Sequence, residues 1–86
     1  MQPSSRSKKN DLESAKNVIR KLGEKWPSSF VARSEIAKFS GGLLAPGTAA
    51  NNDSLGTGIP GAFRISKKIA YPVDSAIDWL IARLEA

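Results

Sequence analysis

Three basic side chains, Arg64, Lys67 and Lys68, fall within five residues of a stretch whose apolar positions alternate. On a hairpin such a triplet gathers cations near one tip, where they can neutralise neighbouring phosphates. Upstream, Thr48, Asn51 and Asn52 offer a different chemistry. An Asn amide can bond N6 and N7 of adenine together, while Thr offers a hydroxyl to a base or phosphate and a methyl to thymine. A third group, Arg33 with Ser34, stands at the start of a predicted helix, whose dipole helps to hold another phosphate. These residue types bind polyanions and read base edges.

Catalytic chemistry is poorly provided for. The chain has no Cys and no His, which removes thiol nucleophiles, His acid/base catalysis and the usual zinc ligands. Its eight carboxylates are mostly interleaved with bases on helical faces, so they are expected as caps and solvated surface rather than as an acid/base pair. Tyr71 as a nucleophile would need several groups converging on a phosphate, and its place in the apolar alternation points to packing instead. Gly56, Gly58 and Gly61 match the dinucleotide fingerprint G-x-G-x-x-G. That fingerprint requires a preceding strand and a following helix, whereas here Pro60 lies inside it and a hairpin follows. No enzyme, no cofactor and no metal site are expected.

The elements that must position these groups follow from periodicity. Residues 1–9 are polar and basic, and are expected to be a disordered tail. Asn10 is placed to cap a first helix, with Glu13 as its capping-box partner. Leu12, Ala15, Val18, Ile19 and Leu22 form one apolar stripe, and Gly23 is the expected stop. A second short helix fits Arg33–Ser40, ended by Gly41-Gly42, although Ala32 replaces the usual polar cap. Pro46, favoured at a first helical position, opens a third helix toward Leu55. Phe63, Ile65, Ile69 and Tyr71 then alternate with Arg64, Lys68 and Ala70. That pattern predicts a two-stranded hairpin turning through Ser66-Lys67, with one apolar and one basic face. After Pro72, Val73, Ala76, Ile77, Leu80, Ile81 and Leu84 form a clean amphipathic stripe, with Asp74 and Asp78 early and Arg83 late, as the helix dipole favours.

The expected fold class is therefore mainly α with a small β-hairpin. Two short helices, a basic hairpin and a closing helix make the order of a winged helix-turn-helix domain over residues 10–86, with 10–23 as an additional N-terminal helix. In that arrangement the third helix enters the major groove through Thr48, Asn51 and Asn52, and Arg64, Lys67 and Lys68 on the wing hold phosphates. Asp53, near the end of the groove helix, would repel phosphates unless it accepts from cytosine N4.

The run Phe30-Val31-Ala32-Arg33-Ser34-Glu35-Ile36-Ala37 resembles the opening of excisionase-like, MerR-type winged helix-turn-helix domains. Ile59-Pro60-Gly61-Ala62-Phe63-Arg64-Ile65-Ser66-Lys67-Lys68-Ile69-Ala70-Tyr71-Pro72 resembles their proline-led wing. Val73-Asp74-Ser75-Ala76-Ile77-Asp78-Trp79-Leu80 is similar to their closing helix. The resemblance covers about residues 28–84. It implies a small DNA-binding accessory protein of a phage or integrative element, either a recombination directionality factor that bends DNA beside an integrase or an AlpA-like prophage regulator. Double-stranded DNA is the implied partner, with an integrase or further copies of the chain on DNA beside it.

Thirteen Lys and Arg against eight Asp and Glu give a net charge of +5. Residues 1–25 hold seven of the bases and three acids, residues 26–71 five and two, and residues 72–86 one and three. The positive charge thus lies in the N-terminal part and the wing, and the closing helix is acidic. A polar, basic start without an apolar segment points to a cytoplasmic protein with no membrane association. The alternative is a protein-interaction module without specific DNA binding, using the stripe of the first helix and exposed parts of Trp26 or Trp79.

Overall fold

The computed structural model describes residues 4–85. Helix α1 runs Ser4–Lys25, followed by strand β1 (Phe30–Ala32) and a 3-10 turn (Arg33–Glu35) that leads into the short helix α2 (Ile36–Phe39). Helix α3 is Pro46–Leu55, strands β2 and β3 are Phe63–Ile65 and Lys68–Pro72, and helix α4 is Val73–Ala82. The protein is mainly α with a small antiparallel sheet. Among the described residues, no helix is long and apolar enough to cross a membrane.

Helix α1 differs from its expected bounds at both ends. It starts at Ser4 rather than Asn10, so Asn10 lies inside the helix rather than at the N-cap position expected of it. Glu13 instead lies 3.6 Å from Lys16 on the same helix face. Of the expected tail, residues 4–9 are helical and residues 1–3 lie outside the described residues. Gly23 is not a stop. A Cβ there would sit 3.3 Å from Val73 Cγ1 and 3.4 Å from Ile77 Cγ1, so the glycine lets α1 lie close against α4. The helix ends two residues later, where Pro27 follows Trp26 and disfavours helical backbone there.

The expected two-stranded hairpin is a three-stranded sheet of order β1-β3-β2. Phe30 and Val31, expected only as a lead into the second helix, belong to β1, where Val31 pairs with Tyr71 and Ala32 with Ala70. The wing faces are also redistributed. Across the two-residue turn Ile65 stands opposite Lys68, and Arg64 opposite Ile69. Directly paired residues share a face, so Arg64 lies with Ile69 and Tyr71, whereas Phe63 and Ile65 lie with Lys68 and Ala70. A two-residue turn moves the alternation out of phase between strands, and no face is purely apolar or purely basic.

The second helix is shorter and tighter than expected. Its first turn is 3-10, and Ala32 provides no side-chain cap. Ile36 and Phe39 turn into the core, where Trp26 meets Phe39 edge-on at 5.3 Å between centroids. Buried Ser40 closes the turn toward α3: its Oγ accepts from the Leu44 N–H at 3.0 Å. Pro46 opens α3 as expected. The other end stops in a Schellman arrangement, with Thr57 N–H donating to Asn52 O and Gly56 N–H to Asp53 O. Gly56 takes φ 78 there, backbone that glycine adopts without a Cβ penalty.

The core is built from Val31, Ile36, Phe39, Tyr71, Ala76 and Leu80, with Ile19 of α1 and Ala49 of α3 packed on it. Trp79 belongs to this core at 8% exposure, so it supplies no partner surface. Its indole N–H donates to Thr57 O at 2.9 Å, and the Arg83 guanidinium lies 3.4 Å above its ring. These contacts tie the loop after α3 to the closing helix.

Candidate nucleic-acid interface

Helix α3 lies on the core through Ala49, and its outward side is lined with small or neutral side chains: Gly47, Thr48, Asn51 and Ser54 are exposed. Thr48 and Asn51 therefore stand exposed. Asn52 does not. It is half-buried, its amide N–H donates to Thr48 O at 2.9 Å, and its Oδ1 accepts from Thr57 Oγ1 at 2.8 Å. The positions of Thr48, Asn52, Trp79 and Arg83 around one groove explain this: four-residue spacing puts Thr48 and Asn52 on the flank that faces α4. Asn52 secures the helix end and leaves Asn51 as the outward amide.

Asp53, Arg33 and Tyr71 converge between α3 and the sheet. Arg33 Nε donates to the Tyr71 hydroxyl at 2.9 Å, Arg33 Nη2 donates to Asp53 Oδ2 at 2.5 Å, and the Tyr71 hydroxyl donates to the same Oδ2 at 2.8 Å. Tyr71 is fully buried. Burial pushes its phenol above the ordinary tyrosine value; the Asp53 carboxylate adds to this and the Arg33 guanidinium opposes it. The bond to Tyr71, helped by Asp53, raises the Arg33 guanidinium still further against the smaller opposing effect of burial. Arg33 thus stays a cation, but its Nε and Nη2 are engaged within the protein. Through those two nitrogens Arg33 joins the turn after β1 to β3 and α3. The same pairing answers the concern over Asp53, because its charge is compensated internally rather than presented on the outward side of α3.

Ser34 is exposed beside this network. Four of the predicted phosphate-binding residues, Arg33, Ser34, Lys67 and Lys68, meet Pro46 around one concavity of about 320 Å³. They come from the turn before α2, the wing and the start of α3, segments far apart in the sequence. Arg64 lies on the other strand of the wing and faces a second concavity shared with Ala50, Asp53 and Ser54 of α3. All three wing cations are exposed. One side of α3 is therefore flanked by the basic wing along its length. Sequence reasoning missed Ser54, which enters only because Arg64 turns toward α3 once the hairpin register is known.

The remaining charge is segregated. Asp74 and Asp78 of α4 border a groove with Glu24 and Arg20 of α1, so acids of the closing helix meet α1 rather than the wing. No known protein family, characterised protein or solved structure matches the chain.

Proposed function

We propose that the protein binds double-stranded DNA as a winged helix-turn-helix domain, with α3 in the major groove and the β2–β3 hairpin as the wing. The observation that carries this reading is the convergence of Ser34, Lys67 and Lys68 at the start of α3, with Arg64 farther along the same flank. A helix inserted in a groove has phosphates on both sides, and cations set beside rather than on the helix suit that geometry. Asn51 and Thr48 are the base-reading residues, and Asn52 acts through the end of α3. The family resemblance extends the proposal to an accessory protein of a phage or integrative element, an excisionase or a prophage regulator, working in the cytoplasm with an integrase or further copies on DNA.

A gel-shift series with variants tests the roles. Replacing Lys67 and Lys68 together with Ala should weaken every duplex about equally, whereas Asn51→Ala should change the preference between duplexes. If Asn51→Ala weakens all duplexes alike, α3 is not the reading helix. One observation favours a protein partner as a second reading. Phe30 and Phe63 meet at 6.2 Å on the outer face of the sheet, and Ile65 is 63% exposed on the same face.

A further inference from the structure

Leu55 is the most exposed large apolar side chain described, at 76%, and it belongs to α3. Four-residue spacing places it on the same side of the helix as Asn51. The other exposed side chains of α3, Gly47, Thr48 and Ser54, are small, so none of them holds a grooved partner away from Leu55. The helix carries no Lys or Arg, and its one charge, Asp53, is paired with Arg33. Its outward face thus offers one amide, small polar groups and one apolar tip.

We infer that Leu55 reads the 5-methyl group of thymine in the major groove, beside an adenine held by Asn51. The inference rests on the DNA-binding reading above. Thymine's methyl is the apolar group that unmodified DNA displays in that groove, and cytosine has none. Four residues of helix advance about 6 Å, close to two base steps of about 3.4 Å each, so Asn51 and Leu55 reach base pairs about two steps apart in one short site. The protein then prefers A·T-containing sites, and the preference depends on the methyl as well as on the hydrogen-bonding pattern. Uracil, which shares thymine's hydrogen-bonding groups and lacks its methyl, isolates that contribution.

Fluorescence anisotropy with alternating poly(dA-dT) and poly(dA-dU) duplexes tests this at low salt. One or two buried methyls, each worth about fourfold, predict that the protein binds the thymine polymer about four- to fifteenfold more tightly. Leu55→Ala should bring the ratio of the two affinities close to one. Val18→Ala, at a residue 61% exposed on α1, should leave the ratio unchanged. Comparing ratios between proteins cancels any difference in groove shape between the polymers. Equal binding of both polymers by the unaltered protein, or a ratio that survives Leu55→Ala, overturns methyl reading and leaves DNA binding standing. Failure to bind these polymers or mixed-sequence duplex overturns both readings.

Discussion

Tyr71→Phe removes one oxygen atom and, with it, two of the three polar contacts in the Arg33–Tyr71–Asp53 network that fastens α3. The hydroxyl accepts from Arg33 at 2.9 Å and donates to Asp53 at 2.8 Å. Bonds to charged groups are worth about 1.5–3 kcal/mol each when the groups stay desolvated. Here the direct Arg33–Asp53 pair survives the substitution, and those side chains are 28% and 22% exposed, so water can replace part of the loss. Discounting each bond to about 1 kcal/mol gives a total of about 2 kcal/mol. For a domain of this size, 1 kcal/mol corresponds to about 4–8 °C, so the midpoint should fall by about 8–16 °C. Thermal unfolding at neutral pH, followed by circular dichroism, measures it directly. A loss below about 0.5 kcal/mol, the usual scale of surface substitutions, would refute the idea that this network fastens α3.

Other substitutions probe the same framework. Raising the pH should reveal Tyr71: the folded phenol is held above its ordinary value of 10.0, so its contribution is full below that value. It is lost as pH climbs through the raised one, and urea midpoints of Tyr71→Phe should lack this alkaline component. Gly58→Ala should cost about 2–3 kcal/mol, because overpacking forces neighbours to move. Its Cβ would overlap Asp53 Oδ1 and lie 3.1 Å from Asp53 Cα, while Oδ2 is pinned by Arg33 and Tyr71; an unchanged urea midpoint would contradict that constraint. Ser66 turns the wing with φ 56, where glycine is favoured, so Ser66→Gly should stabilise by about 0.5 kcal/mol after the entropy it adds to the unfolded chain. A lower midpoint would mean that the Ser66 side chain contributes more than the backbone strain costs.

Periodicity revealed the elements where one apolar face decides their existence. The stripe from Val73 to Leu84 and the proline at the start of α3 were legible because local signals agree with the packing. Strand β1 was not, since three residues carry too little pattern, and pairing with Tyr71 and Ala70 defines it. The face of Arg64 depends on the phase shift across Ser66-Lys67, a consequence of turn length rather than of alternation. Gly23 carries the usual sign of a helix stop and is instead a close-packing residue, which only the approach of Val73 and Ile77 reveals. Asn52 and Asn51 are chemically identical, and the direction of α3 on the core separates the structural amide from the outward one. Arg33 and Asp53 are twenty residues apart, and neither position hints at the other. Their pairing through Tyr71 could be found only once the sheet and α3 were brought together.

The proposed duplex binding depends on a basic wing beside a neutral reading helix. Its most direct test is the affinity for double-stranded DNA measured over a range of salt concentrations. Contacts to about four to six phosphates predict a log–log slope of about −4 to −5, and removal of Lys67 and Lys68 should make it shallower by about 2. Absence of binding at low salt, or a slope that the double substitution leaves unchanged, would contradict the account and direct attention to the apolar outer face of the sheet.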